Sequence, residues 1–161
     1  MEIKIMSQEE AENWSHDQWM GVALLISILG TDTRTPTFYK NPRIIEKISL
    51  KFDDIQSVQD HHTLLSEEQC LQIRDFVFEH AEEVESIVIH CFAGVSRGAA
   101  IAFAVCRLLG LDDTWIWASN RYHPNEYCVF LDDLTEEDKK HLFYWNNAPA
   151  PIEELKKMII T

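Results

Sequence analysis

The residues best suited to chemistry in this chain are a cysteine and an arginine separated by five residues, Cys91 and Arg97. The segment reads HCFAGVSR from His90, with one glycine, Gly94, where the chain must turn tightly. A cysteine thiolate is a strong nucleophile, and the planar guanidinium of arginine can hold two phosphate oxygens at once. The pair therefore predicts a site at which a sulfur attacks a phosphate-like dianion.

The flanking sequence predicts the elements that position this pair. Ser86 to His90 is β-branched and apolar, as in a buried strand of a parallel sheet, and Gly98 to Leu109 reads as an apolar helix closed by Gly110. The loop between them would point backbone N–H groups inward, and the helix adds its positive N-terminal dipole. These donors favour the thiolate form of the cysteine. The predicted substrate-binding residues are those of the loop: Phe92, Ala93, Gly94, Val95, Ser96 and Arg97.

HCFAGVSR in this setting resembles the loop of the cysteine-dependent protein tyrosine phosphatase superfamily, most closely its dual-specificity and small bacterial-type members. The resemblance covers most of the chain. It implies that Cys91 forms a phospho-cysteine intermediate, that Arg97 and the loop N–H groups hold the phosphoryl group, and that His90 supports the loop. It implies neither a cofactor nor a metal.

The chain leaves the family pattern at the residue after the arginine. The family usually has Ser or Thr there, whose hydroxyl hydrogen-bonds the cysteine sulfur and helps it leave, whereas this chain has Gly98. Formation of the intermediate could survive this change while its breakdown slows. Whether Ser96 compensates depends on the direction of its side chain, which the sequence leaves open.

Hydrolysis of a phosphate ester also needs an acid for the leaving oxygen. SLKFDD ends an apolar run at Asp53 and Asp54, and it resembles the family strand whose terminal Asp is that acid. We assign the role to Asp54, with Asp53 as the alternative, and both could instead merely cap or solvate a loop. Pro124 and Asn125, followed by an apolar stripe from Tyr127 to Leu131, resemble the family helix whose Asn braces the phosphate loop, although Asn125 could equally be a helix cap.

Strands and helices alternate along the chain, which predicts an α/β domain with a central, mainly parallel sheet flanked by helices, as in dual-specificity phosphatases. One domain over residues 1–161 is expected, with residues from about 136 to 161 as a C-terminal helical extension. The other predicted elements are a short edge strand in Met1 to Ser7, a helix from Gln8 to Trp14 capped by Ser7, strands Val22 to Leu29 and Ile44 to Phe52, a long loop from Gly30 to Arg43, an amphipathic helix from Glu67 to Glu85 capped by Ser66, and a helix through Ala118 capped by Asp112 or Asp113.

Composition narrows the partners. The net charge is −13 over 161 residues, and so acidic a surface would repel nucleic acid and anionic lipid. No apolar run is long enough to span a bilayer, and the first ten residues are polar, so we expect a cytoplasmic protein. The four cysteines have no zinc or disulfide spacing and should be reduced thiols, and the neighbouring His61 and His62 lack a metal-binding framework.

These observations predict a phosphomonoester hydrolase acting on protein phosphotyrosine, with phosphoserine or phosphothreonine second. The loop contains no lysine, so the extra basic charge expected for inositol phosphates is missing. One alternative is a phosphate-binding interaction module, for which Gly98 is the best argument. A rhodanese-type sulfurtransferase is the other, although its loop is commonly one residue shorter.

Overall fold

The computed structural model describes residues 1–55, 59–125 and 128. Its strands are β1 (Glu2–Met6), β2 (Ala23–Leu29), β3 (Ile44–Lys51) and β4 (Ser86–His90), and its helices are α1 (Gln8–Trp14), α2 (Glu67–His80), α3 (Arg97–Leu109) and α4 (Thr114–Ala118). The segment between β2 and β3 contains no helix or strand, as predicted for residues 30–43. The order of elements in the described residues therefore agrees with the order read from the sequence.

The four strands form one sheet in the order β1-β4-β2-β3, and every neighbouring pair is parallel. This confirms the predicted α/β class with a central parallel sheet flanked by helices. Strand β1 lies at an edge, as expected, whereas β4 lies inside between β1 and β2. Because parallel strands all end at the same side of the sheet, the segments that follow β2, β3 and β4 meet there.

The inner strands β2 and β4 are buried on both faces of the sheet, and the period of two along each strand assigns residues to a face. On one face, Leu24 and Ile26 of β2 and Ile87 of β4 join a hydrophobic core with residues of α2 and α3. The alternate residues Leu25 and Val88 are buried as well. Strands of this kind read as continuous apolar runs, which is why they could be recognised from the sequence.

The helix ends follow the expected capping chemistry, with one correction. Ser7 caps α1 by accepting the N–H of Glu10, and Gly110 ends α3 in the left-handed conformation at φ 65°. The prediction that one helix runs to Glu85 was wrong, since α2 ends at His80 and a 3-10 turn, Ala81–Glu83, follows. The chain must become extended there because the Glu85 N–H donates to the Val22 carbonyl beside the sheet.

Two predicted features lie outside the described residues, namely the apolar stripe from Tyr127 to Leu131, of which only Cys128 is described, and the C-terminal extension over residues 136–161. Within the described ranges, none of the helices combines the length and the apolar character needed to cross a membrane.

Candidate active site

Cys91 directly follows β4 and lies on the floor of a tight loop. Its side chain is buried, with 2% of the residue exposed, and its Sγ accepts the backbone N–H of Gly94 at 3.2 Å. Gly94 has φ +70°, and a Cβ there would stand 2.5 Å from the backbone nitrogen of Ser7. Only glycine allows this turn and this approach to the end of β1, which encloses the sulfur within the loop.

His90 anchors the loop from below. The residue is fully buried, its Nε2 lies 2.6 Å from Ser27 Oγ, and its Nδ1 lies 3.2 Å from the Cys91 carbonyl oxygen. Burial lowers the pKa of His90, so the ring is neutral at neutral pH. A neutral ring that donates from Nδ1 to the carbonyl leaves Nε2 to accept the Ser27 hydroxyl, and this pairing fixes the backbone at the cysteine.

Arg97 is the first residue of α3, and its side chain crosses to the ends of the neighbouring strands. The residue is buried, and Nη1 donates to the carbonyl oxygen of Phe52, just after β3, at 2.9 Å. A Cβ at Gly30, just after β2, would lie 3.4 Å from the same nitrogen. The guanidinium is therefore held at the carboxyl edge of the sheet, the edge at which β4 delivers Cys91.

Asp54 lies beside the loop through a contact with Ser96. Its Oδ1 accepts the hydroxyl of Ser96 at 2.8 Å and the side-chain amide of Asn125 at 2.7 Å. The sequence left open where the Ser96 side chain points, and the structure shows that it points toward Asp54. A hydroxyl has one proton, and because Ser96 donates it to Asp54 it does not donate it to the Cys91 sulfur.

Asp53, the alternative acid, faces a different set of partners. It is buried, and its carboxylate accepts the N–H and hydroxyl of Thr31 and the N–H of Thr63. Burial opposes ionisation, but these three hydrogen bonds outweigh it and lower the pKa of Asp53 to about 2. Both oxygens of Asp53 are therefore engaged by Thr31 and Thr63, whereas Asp54 contacts the loop through Ser96, so the geometry favours Asp54 over Asp53.

Asn125 joins the loop to the segment that carries Asp54. Its backbone N–H donates to the Ser96 carbonyl at 3.1 Å, while its buried side-chain amide donates to Asp54 and to the Ile55 carbonyl. The N–H of His123 donates to the Val95 carbonyl next to it. The segment 123–125 therefore packs along the loop, and the asparagine bridges two parts of the site.

Gly98 lies against the side chain of Cys91. A Cβ placed on it would be 3.3 Å from Cys91 Sγ and 3.5 Å from Ile5 Cγ2. A side chain at this position would therefore touch the sulfur directly. The position at which the sequence departs from the loop it resembles therefore lies within contact distance of the Cys91 sulfur.

The remaining loop residues differ in exposure. Phe92 and Ala93 are exposed, and Val95 is half-buried. The carbonyl oxygen of Phe92 accepts the N–H of Gln8 at the start of α1, so the loop is tied to that helix as well. The predicted loop residues thus lie together in one turn, with only part of it open to solvent.

All four cysteines of the chain are free thiols. His61 and His62 are exposed, and His62 Nδ1 is close to the carbonyl of Asp60. Within residues 1–55, 59–125 and 128, no three His, Cys, Asp or Glu side chains are grouped so as to hold a metal ion.

No protein-family model matches this chain, and no curated protein matches its sequence. A solved structure to which it is similar is the crystal structure of Tk-PTP in the active form. The two chains share 17% identity over 92% of this chain and 93% of that chain, with a TM-score of 0.45.

Sequence reasoning missed the residues that hold the site together. Thr31 and Thr63, which bind Asp53, lie in stretches that read only as polar connections. Glu12 of α1 binds the guanidinium of Arg34 and the N–H of Thr37, and thereby fixes the long loop after β2. No local pattern marks such contacts, because each joins segments more than nine positions apart in the chain.

Proposed function

We propose that this protein is a cysteine-dependent phosphomonoester hydrolase that acts on protein phosphotyrosine, with phosphoserine or phosphothreonine as second choices. The observation that carries the proposal is the meeting of three groups at one edge of the sheet. Cys91 lies inside the loop, Arg97 spans the ends of the strands beside it, and Asp54 is hydrogen-bonded to the loop through Ser96.

These groups supply the requirements of a two-step displacement. In the first step Cys91 Sγ bonds to phosphorus and the ester oxygen leaves, taking a proton from Asp54. Arg97 and the loop N–H groups balance the charge on the other phosphoryl oxygens. In the second step water attacks the phospho-cysteine, Asp54 takes up a proton from that water, and inorganic phosphate leaves as the sulfur regains its electron pair.

The substrate class follows from the charge of the loop. It has no lysine, so Arg97 provides its one formal positive charge, and this matches a single phosphate group better than a multiply phosphorylated one. The exposed ring of Phe92 next to the nucleophile offers an apolar surface for an aromatic ester. Phosphotyrosine satisfies both conditions.

A second function, a phosphate-binding interaction module, is favoured by one observation. Gly98 leaves the Cys91 sulfur without a hydroxyl at the position 3.3 Å away where a side chain would begin, and Ser96 is engaged with Asp54. A site that forms the intermediate but releases it slowly would hold phosphotyrosine more than it turns it over.

The test is hydrolysis of p-nitrophenyl phosphate and of a phosphotyrosine peptide by the wild-type protein and by Cys91→Ser. Steady release of phosphate that is lost in the variant supports the enzyme. Tight binding of the peptide without multiple turnovers supports the interaction module. Turnover that survives Cys91→Ser contradicts both proposals, since each places the ester on this cysteine.

A further inference from the structure

Among the described residues, both hydrogen bonds that reach the Asp54 carboxylate end on the same oxygen. Ser96 Oγ and Asn125 Nδ2 donate to Oδ1 at 2.8 and 2.7 Å. A carboxyl group has two oxygens with similar ability to accept, so this convergence distinguishes one from the other.

The two donors are themselves held in place. The Ser96 carbonyl accepts the N–H of Ala100 at 3.0 Å and the N–H of Asn125 at 3.1 Å, which fixes the serine between α3 and the segment 123–125. The Asn125 side chain is buried and also donates to the Ile55 carbonyl at 3.2 Å. Asp54 is exposed, so its orientation depends on these less mobile partners.

The chemistry of a protonated carboxyl completes the argument. A neutral carboxylic acid has one carbonyl oxygen, which accepts, and one hydroxyl oxygen, which donates. The carbonyl oxygen of a neutral acid is the better acceptor, so two donors on Oδ1 favour the carbonyl at Oδ1. The proton then belongs on Oδ2.

We propose that Ser96 and Asn125 are positioning residues that keep Oδ1 of Asp54 as an acceptor, so that Oδ2 delivers the proton to the leaving oxygen. This inference rests on the proposed function, because it gives a role to residues around its general acid. After transfer the same two donors stabilise the carboxylate that remains. No atom changes partner during the step except the proton, which passes from Oδ2 to the ester oxygen.

The test exploits leaving groups of different quality. Phenyl phosphate needs a proton on its leaving oxygen, whereas p-nitrophenyl phosphate leaves well without one. Ser96→Ala should lower kcat/KM for phenyl phosphate about tenfold and that for p-nitrophenyl phosphate less than about twofold, since general acids contribute mainly where the leaving group is poor. Ser96→Thr keeps a hydroxyl and should therefore retain most of the wild-type kcat/KM for phenyl phosphate.

Two controls separate positioning from damage. Ser49→Ala removes a hydroxyl from an exposed position of β3 and should leave kcat/KM unchanged for both esters. Vanadate binding should stay within about twofold of wild type in Ser96→Ala if the oxyanion-binding loop is intact. A large loss of vanadate binding would mean that Ser96 supports the loop instead, which overturns the inference.

The decisive comparison is made in the Asp54→Asn background. A residue that acts through Asp54 has nothing to position there, so adding Ser96→Ala should cause no further loss on phenyl phosphate. An equal loss on both esters, or a loss that persists without Asp54, overturns this inference while leaving the phosphatase proposal standing. Failure of the wild-type protein to hydrolyse either ester overturns the proposed function and this inference together.

Discussion

The sulfur of Cys91 differs from the other thiols of the chain in its surroundings. Burial raises the pKa of Cys70 and of Cys106 to about 12, and it raises the pKa of Cys128 as well. Cys91 is equally buried, yet its Sγ accepts an N–H group from Gly94 in a loop that precedes a helix N-terminus. Burial therefore disfavours the thiolate of three cysteines, whereas the sulfur of the fourth accepts a hydrogen bond inside the loop.

Iodoacetate should therefore alkylate Cys91 faster than the other cysteines at neutral pH, by about tenfold or more, because only the thiolate reacts. Peptide mass spectrometry over a time course measures this, with Cys91→Ser as the control. Inorganic phosphate or vanadate should slow the reaction by occupying the loop. Equal labelling of several cysteines, or labelling of Cys91 that phosphate leaves unchanged, would contradict the assignment of the nucleophile.

Gly98 provides the second prediction at this scale. Gly98→Ser places a hydroxyl in contact with the sulfur, since its Cβ would already lie 3.3 Å from Sγ. That hydroxyl should help the thiolate leave in the second step. We expect the wild type to show a burst of product followed by slow turnover in rapid mixing with p-nitrophenyl phosphate, and the variant to show a faster steady rate with a similar burst rate.

Gly98→Ala is the matched control, because it adds the same Cβ without the hydroxyl. Either substitution also removes a glycine from a helix, which stabilises it by up to about 1 kcal/mol before crowding against the sulfur is counted. An equal gain in steady rate for Ala and Ser would attribute the effect to packing. Absence of a burst in the wild type would mean that the first step limits turnover.

At the scale of elements, the segment that follows β3 is held from both sides. The Phe52 carbonyl accepts an N–H of the Arg97 guanidinium. On one side, the Asp53 carboxylate accepts hydrogen bonds from Thr31 and Thr63. On the other, the Asp54 carboxylate accepts a hydrogen bond from Ser96 in the loop. Both carboxylates lie beyond the end of β3, and the Ile55 N–H donates to the Asp53 carbonyl, so the chain turns at Asp54 and the two side chains meet different partners. The sequence placed both at the end of a strand but could not say which one faced the loop.

Substituting each carboxylate separates the two roles. Asp54→Asn should lower kcat/KM for phenyl phosphate by about 10² to 10³ and affect p-nitrophenyl phosphate less, as expected for loss of a general acid. Asp53→Asn should mainly destabilise the fold, because an amide NH₂ would face one of the donors on Thr31 or Thr63. Steady-state kinetics on both esters and urea unfolding measure the two effects, and an exchange of the two phenotypes would reverse the assignment.

At the scale of the whole molecule, the sequence predicted the strands and helices well because their signals are local. Apolar runs marked β2 and β4, Ser7 and Ser66 marked helix starts, and Gly110 marked a helix end. The loop could also be located, since its cysteine, glycine and arginine lie within eight residues. The individual strands, helices and loop could therefore be predicted from the sequence alone.

The arrangement itself could not be predicted from the sequence. Strand order places β4 between β1 and β2, which depends on tertiary packing and not on any one segment. The direction of Ser96 and the partners of Asp53 depend on residues 42 and 22 positions away, namely Asp54 and Thr31. Only a folded sheet brings those positions together, so the roles they have in the site follow from the structure.

The hydrogen bonds to the Asp53 and Glu12 carboxylates also determine how the stability of the whole fold depends on pH. In the folded state the pKa of Asp53 is about 2, against 3.8 for a free group, because the hydrogen bonds from Thr31 and Thr63 outweigh its burial. The hydrogen bond from Arg34, aided by the Thr37 N–H, similarly lowers the pKa of Glu12 to about 2, against 4.5. A lowered folded-state pKa gives stability that is complete above the unfolded value and lost as the pH falls through the folded one.

Stability should therefore fall as the pH is lowered from above 4.5 toward 2, the interval between the free and folded values of these two groups. Asp53 should account for on the order of 1 to 2 kcal/mol, less than its full shift implies because solvent screens part of the interaction. Urea unfolding of wild type and Asp53→Asn across this range measures the share of Asp53. The difference between them should be largest near neutral pH and shrink as the pH falls through about 2, where Asp53 itself takes up a proton in the folded state. A difference that stays constant with pH would show that Asp53 contributes through packing alone. A difference that shrinks would show that the ionised carboxylate, through its hydrogen bonds to Thr31 and Thr63, stabilises the segment after β3 that also carries Asp54.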